Sequence, residues 1–136
     1  MVYSKQFNLQ PGDCIIEPLF QTGLSKHHAI YLGWDDNGIE WIAENHKFKN
    51  VQVIPADEYF ATVKRIDRIK KFNGSKEERN QVIRRALQLA GKPYDLVTYN
   101  CEHYATEAIT GKARSRQVET AFGVLLIAFV IALFID

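Results

Sequence analysis

The feature that most constrains the fold is an apolar run at the end of the chain. Residues 121–135 (AFGVLLIAFVIALFI) contain no polar side chain. A helix that is apolar on every face does not suit the surface of a small soluble domain. A membrane span takes roughly 20 residues and at least about 17, so this run is slightly short, but Val118 and Thr120 extend it toward the interface. We therefore expect a membrane-anchor helix over 117–136 and a folded domain over 1–116. The alternative is a helix buried in the core or against another subunit.

Three basic residues, Lys112, Arg114 and Arg116, stand immediately before the apolar run. Cytoplasmic flanks of membrane helices carry an excess of Lys and Arg. We therefore expect a membrane-associated protein whose folded domain faces the cytoplasm and whose C-terminal helix is the anchor.

Composition narrows the class of protein. The chain has 136 residues, of which 24% are charged and 46% hydrophobic, which is typical of one globular domain. A net charge of +1 argues against a nucleic-acid partner. We find no CxxC, no HExxH and no secretory signal, so we predict no zinc site, no other cofactor and no disulfide framework.

Turn signals, together with the alternation of apolar and polar residues between them, predict a mainly antiparallel sheet. Pro11-Gly12-Asp13 predicts a turn, residues 20–25 a loop, and Asn37-Gly38 a tight hairpin, since Asn and Gly accept positive φ at low cost. Between these signals we predict five strands, over Cys14–Glu17, His27–Trp34, Ile39–Asn45, Lys49–Ile54 and Ala61–Ile66.

Two helices should follow the strands. Ser75 and Glu78 form a capping-box pattern, and Gly91 with Pro93 ends the apolar stripe that follows. A second helix is expected over Cys101–Ile109, with Gly111 just beyond it. Strands followed by helices predict an α+β fold.

Cys101 is the candidate nucleophile. Asn100 is a good N-cap and would place Cys101 in the first helical turn, where the positive end of the helix dipole favours a thiolate. The alternative is a buried structural cysteine, which is how we interpret Cys14 between apolar neighbours. His103 lies two residues beyond Cys101, and helix positions i and i+2 do not face each other, so we do not expect it to be the base.

His27 and His28 are the candidate bases. Neighbours on a strand face opposite sides of the sheet, so only one of them can easily meet Cys101, and alternation alone does not choose. We take His27 as the base and keep His28 as the alternative. A third polar group normally orients such an imidazole; on the return strand Glu44, Asn45 and His46 are all candidates, with solvated strand-end residues as the alternative.

These residues resemble the lecithin:retinol acyltransferase (LRAT)-like family of the NlpC/P60 papain-like superfamily. The H-x-[AG]-I-Y-x-G element appears at residues 27–33 and the N-C-E-H-[FY] element at residues 100–104. Residues 11–13 resemble the family's P-G-D, and residues 94–96 its Y-x-L. The likeness covers roughly residues 8–112 and implies a circularly permuted papain-like fold, with an antiparallel sheet carrying the histidine packed on a helix carrying the cysteine.

The chain departs from the resemblance at one position of the site. Animal members usually carry a second histidine on the return strand, where this chain aligns Glu44. A carboxylate can hydrogen-bond an imidazole and stabilise its protonated form, and His46 could take the role if the register slips by two. The resemblance therefore implies a catalytic set of Cys101, His27 and Glu44 within a catalytic domain over 1–116.

The resemblance also implies a reaction. Cys101 would attack an ester of a glycerophospholipid and hold the acyl chain as a thioester, giving acyltransferase or phospholipase A activity at the membrane that holds residues 121–135. Two other functions compete with this one: a cysteine peptidase or amidase, and a non-enzymatic interaction protein that has kept the fold.

Overall fold

A computed structural model describes residues 1–19 and 25–135 of the chain, so most of the loop predicted over 20–25 lies outside the described residues. The fold is α+β, with an antiparallel sheet and a C-terminal apolar helix. The strands are β1 (Cys14–Pro18), β2 (Lys26–Trp34), β3 (Glu40–His46), β4 (Asn50–Pro55) and β5 (Arg68–Lys70). The helices are α1 (Tyr3–Gln6), α2 (Ala56–Thr62), α3 (Lys76–Gln88), α4 (Cys101–Thr110) and α5 (Arg116–Ile135).

The five-stranded sheet has the order β4-β3-β2-β1-β5, and each neighbouring pair is antiparallel. The predicted β2–β3 hairpin is confirmed. The Asp35 carboxylate accepts from the backbone N–H groups of Asn37 and Ile39, and Gly38 takes the positive φ of 78° that closes the turn.

The sheet is covered on both faces, and β2 contributes to both cores. Ile30 packs with Tyr104 and Ala108 on the side of α3 and α4. Ala29 and Tyr31 pack on the other side, with residues of α2. Because successive strand residues alternate between faces, His27 shares its side with Ala29, whereas His28 belongs to the side of α4.

A β-bulge interrupts the β2–β3 ladder between Tyr31 and Gly33. Gly33 has a φ of 97°, and a Cβ at this position would lie 2.9 Å from Cγ of Pro11. The bulge therefore requires a glycine, and the turn at Pro11 packs directly against it.

The fifth strand was predicted at the wrong position. Part of Ala61–Ile66 belongs to α2, which carries Asp57 and Glu58 in its first turn and buries Tyr59 against the sheet. The fifth strand is instead the short edge strand β5, paired with Cys14–Ile16. Its three residues are too few to give an alternation pattern.

Helix α1 lies in a segment where we predicted no helix. Its first turn is held by β3, because the Glu40 carboxylate accepts from the backbone N–H groups of Tyr3 and Ser4. The remaining helices confirm the sequence signals: the Ser75–Glu78 capping box begins α3, and Gly111 ends α4 in the left-handed conformation.

The apolar run forms the helix α5, which is 20 residues long and has a mean hydropathy of 2.6 over its most apolar window. At a rise of 1.5 Å per residue this gives a length of about 30 Å, the thickness of the hydrocarbon core of a bilayer. No residue of α5 from Arg116 to Ile135 is buried. By length and composition the helix can cross a membrane, which is consistent with a C-terminal anchor.

Candidate active site

Cys101 is the first residue of α4, as the N-cap signal predicted. The Asn100 side chain accepts hydrogen bonds from the backbone N–H groups of Glu102 (2.9 Å) and His103 (3.1 Å). In return His103 Nδ1 accepts from the backbone N–H of Asn100 (3.0 Å), so His103 completes a capping box. The cap fixes the start of α4, and with it the position of the thiol.

The thiol of Cys101 lies against the beginning of β2. Its Sγ is 3.6 Å from the carbonyl oxygen of Lys26, the residue before His27. Only 5% of Cys101 is exposed. The buried thiol therefore sits in the first turn of α4, beside the strand that carries His27.

His27 links the thiol to Glu44. Its Nε2 lies 2.7 Å from Glu44 Oε1, and both side chains are largely buried. Burial alone would lower the pKa of His27, but interactions with Cys101 and Glu44 outweigh burial and raise the pKa well above its usual range. The imidazole is therefore held in its protonated form at neutral pH, between a thiol and a carboxylate.

Glu44 is held in its charged form. Burial alone would raise its pKa, but the hydrogen bond and the charge of His27 lower it below the usual value, with help from Gln52. Gln52 Nε2 donates to the second oxygen, Oε2, at 2.9 Å. Both oxygens of the carboxylate are thus engaged, and the one that meets His27 is fixed in place.

Strand register determines which of the three candidates on β3 lies beside His27. Glu44 lies directly opposite Ala29, which makes it the diagonal neighbour of His27 on the same face. Asn45 faces the other way and donates to the carbonyl of Tyr99 (2.8 Å). His46 is at the strand end, where its Nδ1 accepts from a backbone N–H in the following turn (3.1 Å). The structure brings Glu44, and neither of the other two, to His27.

His28 meets a different set of groups on the opposite face. Its Nδ1 is 3.9 Å from Cys14 Sγ, and its Nε2 is 3.4 Å from Glu102 Oε2 but makes no hydrogen bond among the described residues. Burial lowers the pKa of His28 to about 4, so this imidazole is neutral at pH 7. Burial also raises the pKa of Cys14 to about 12, which is consistent with the predicted core cysteine.

Cys101 opens into a pocket of about 460 Å³, which we call the thiol pocket. One wall comes from the connector before α4, through Leu96 and Val97. Another part of the lining comes from the first turns of α5, through Ala121, Phe122 and Leu125. A larger cavity of about 620 Å³ lies between α1 and α2, but neither Cys101 nor His27 lines it. The space at the thiol is therefore mainly apolar and partly built by the apolar helix.

The start of α5 is fastened to the site by hydrogen bonds. Gln117 Oε1 accepts from the backbone N–H of Lys26 (3.0 Å), and the Gln117 backbone N–H donates to Glu102 Oε1 (3.0 Å). Ser115 Oγ also donates to that carboxylate oxygen (2.7 Å). Because Lys26 precedes His27 and Glu102 follows Cys101, the first turn of α5 touches both halves of the site.

Sequence reasoning missed two residues of this arrangement, Gln52 and Gln117. Gln52 carries a weak signal: it lies on the strand next to Glu44 and pairs with it in register. Gln117 carries no such signal, because it lies at the edge of the segment that composition predicts to be a membrane anchor and nothing more. Among the described residues, no group of three histidine, cysteine or acidic side chains is placed to hold a metal ion.

Comparison with known proteins identifies the family to which this chain belongs. A search of curated proteins finds no match to this chain. The family model described as lecithin retinol acyltransferase matches residues 8–114, which include both candidate motifs and most of the chain. On this match the chain belongs to the lecithin retinol acyltransferase family.

Proposed function

We propose that this protein is a thiol-dependent acyl-transfer enzyme that acts on glycerophospholipids, as an acyltransferase or a phospholipase A. Members of its family are typically acyltransferases, which supports acyl-transfer chemistry in general terms. The interaction of His27 with Cys101 that raises the pKa of the imidazole, together with its 2.7 Å contact with Glu44, supports the cysteine-dependent form of that chemistry. On this proposal the three residues are the nucleophile, the acid–base group and the orienting carboxylate.

The first step forms a thioester. The Cys101 thiolate attacks the ester carbonyl carbon, and a C–S bond forms as the C–O bond to glycerol breaks. The departing lysophospholipid oxygen takes the proton that His27 holds. Glu44 keeps the imidazolium oriented and compensates its charge.

The second step releases the acyl group. A water molecule, or a lipid alcohol or amine, attacks the thioester carbon while His27 takes its proton. The C–S bond breaks, the thiolate is restored, and the product is a fatty acid or a transferred acyl chain. The oxyanion formed in each step would be met by the backbone N–H of Cys101 at the start of α4 and by a neighbouring donor.

The proposal of a lipid substrate rests on one observation, which is that α5 forms part of the lining of the thiol pocket. Ala121 and Phe122 line the space beside Cys101 and also belong to the helix that can cross a membrane. An acyl chain leaving the bilayer along this helix would reach the thiol without crossing water, and burying each CH₂ group is worth about 0.8 kcal/mol. A peptide substrate would have no need of such a wall.

The membrane arrangement and the permuted fold belong to the same proposal. With α5 as the anchor, the basic residues before it support a catalytic domain on the cytoplasmic side. His27 on β2 precedes Cys101 on α4 along the chain, the reverse of the usual papain-like order, and this order supports a circularly permuted papain-like fold.

The test uses the full chain in a neutral detergent with a phosphatidylcholine, followed by intact-mass measurement. We expect an acyl adduct that hydroxylamine removes, together with lysophospholipid and a fatty acid or an acylated acceptor. The Cys101→Ser variant, matched in size, should show no thioester adduct. Absence of adduct and product in a wild-type chain that still reacts rapidly with iodoacetamide would refute the lipid substrate. A slow iodoacetamide reaction as well would refute the enzyme.

A further inference from the structure

A second cleft lies on the α4 side of the sheet, away from the thiol pocket, and has a volume of about 380 Å³. We call it the basic cleft, because cationic side chains from β5, from the segment before α5 and from the first residue of α5 line it: Arg68, Lys70, Lys112, Arg114 and Arg116. Residues of α4 and β1 form its floor. The cleft therefore gathers, from segments more than forty residues apart, charges that the sequence shows as two separate groups.

Most of these charges have no partner within the described part of the chain. Arg114 pairs with Glu119 at 2.7 Å, but the other four cations of the basic cleft form no ion pair with a described residue. The acidic residue that lines the cleft, Glu102, already accepts hydrogen bonds from Ser115 and Gln117. In a chain of net charge +1, this is a strong local excess of positive charge.

The position of the basic cleft relative to α5 indicates which kind of anion it would bind. Arg116 is the first residue of α5, so the cleft begins where the apolar helix begins. When α5 spans a bilayer, its first residue, Arg116, lies at the level of the lipid phosphates, and the rest of the basic cleft adjoins this residue. Anionic lipids attract basic residues at this depth by about 1 kcal/mol for each Lys or Arg, and the guanidinium fork of arginine matches the geometry of phosphate oxygens.

We propose that the basic cleft binds the phosphate-bearing headgroup of an anionic lipid in the membrane that holds α5. This inference rests on the proposed membrane location of α5 and is independent of the thioester chemistry at Cys101. The bound headgroup would neutralise the cleft and fix the catalytic domain against the bilayer surface.

The experiment compares two lipids on the full chain in neutral detergent. Dioctanoyl phosphatidic acid and dioctanoyl phosphatidylcholine are titrated separately, and bound lipid is measured by native mass spectrometry. The readout is the ratio of the two affinities. Either lipid can also bind in the thiol pocket, but that contribution is the same in every variant and does not change the comparison between variants. We expect the wild-type chain to prefer phosphatidic acid.

Two charge-matched variants locate the site. Arg68→Gln/Lys70→Gln removes one Arg and one Lys from the basic cleft, whereas Lys64→Gln/Arg65→Gln removes the same charges beside the cavity near α1 and α2. We expect the affinity ratio to fall roughly 10- to 30-fold in the first variant and to stay unchanged in the second. Equal losses in both variants, or no loss in the first, would overturn the proposal.

A second cleft variant and a soluble competitor complete the design. Lys112→Gln/Arg116→Gln should repeat the loss from a different segment, which keeps the test decisive if the β5 variant does not fold. Glycerol 3-phosphate, added at the concentration of the lipid, should displace little phosphatidic acid. If it competes as well as the lipid does, the cleft is a site for a soluble phosphate ester, and the lipid assignment fails. Because no step requires turnover, a negative result here is separate from a failure of the proposed reaction.

Discussion

Glu44 Oε1 lies 2.7 Å from His27 Nε2, although the two residues are diagonal neighbours on adjacent strands and not a directly opposed pair. The second oxygen of the carboxylate is taken up by Gln52, so Glu44 has little freedom to turn away from the imidazole. This contact supports the view that a carboxylate holds the orienting position in this chain, where the family resemblance leads one to expect a histidine.

The Glu44→Gln substitution should change the pH profile of the enzyme. The charge of Glu44 contributes to raising the pKa of His27, so removing it should lower that pKa. In our mechanism the protonated imidazole protonates the leaving group, so activity is lost as the pH rises through the pKa of His27. We expect the alkaline limb of kcat/KM to move to lower pH by about 1–3 units.

The matched control for this profile is Glu40→Gln, the same change on the same strand. The Glu40 carboxylate binds the backbone of α1 and does not contact His27. Its alkaline limb should coincide with that of the wild type. If the limb does not move in Glu44→Gln, the carboxylate has only a structural role.

The two neighbouring histidines should differ sharply in their effect on turnover. His27→Gln should reduce kcat by about 10²- to 10⁴-fold, the usual contribution of general acid–base catalysis. His28→Gln changes the adjacent residue, which faces Cys14 and Glu102, and should leave kcat per folded molecule within a few-fold of wild type. Single-turnover kinetics of thioester formation measure both. Equal losses in the two variants would contradict the assignment of the base.

The start of α4 was predictable from sequence because its signals are local. One short stretch contains the N-cap residue Asn100, the first-turn residue Cys101 and the C-terminal glycine Gly111. Each of them takes its predicted place in α4. The capping box of α3 and the hairpin at Gly38 are local in the same way. The apolar run likewise predicted a helix from composition alone, and α5 is that helix.

The choice between His27 and His28, and between Glu44 and its neighbours, was not predictable from the strand pattern. Alternation says only that adjacent residues face opposite ways, and which face meets the thiol depends on where α4 begins relative to β2. Register adds a second difficulty, because the bulge between Tyr31 and Gly33 shifts the pairing of β2 with β3. Helix α1 escaped prediction for a related reason, since its first turn is held by Glu40, more than thirty residues away.

Asp13 should contribute strongly to stability. Its side chain is fully buried, pairs with Arg79 at 3.0 Å and with Lys71, and accepts from the backbone N–H of Phe72 at 2.9 Å. Burial would raise the pKa of Asp13, but these contacts lower it below its usual value. Breaking such a buried pair typically costs 3–5 kcal/mol. We therefore expect Asp13→Asn to reduce the free energy of unfolding at pH 7 by about 3 kcal/mol.

The pH dependence provides an internal check on Asp13. A carboxylate whose pKa is lowered by folding contributes stability above its unfolded pKa, about 4, and loses it as the pH falls through the folded pKa. The gap between wild type and Asp13→Asn in urea unfolding should therefore be constant near neutral pH and narrow below about pH 4. Asp36→Asn, at the exposed hairpin, should show no such gap. A gap that stays constant down to low pH would mean that the charge of Asp13 is not what stabilises the fold.

The wall that α5 contributes to the thiol pocket can be tested by filling it. Ala121 lines the pocket from the second turn of the helix, and the Ala121→Trp substitution places a large side chain where we expect the acyl chain to lie. We expect kcat/KM for a long-chain phosphatidylcholine to fall by at least about tenfold, because burial of several CH₂ groups is lost at about 0.8 kcal/mol each. The matched control is Ala128→Trp, the same change farther along α5 and outside the pocket lining, which should retain wild-type kinetics. Equal activity of the Ala121→Trp and wild-type proteins on the long-chain lipid would show that the acyl chain does not occupy this pocket.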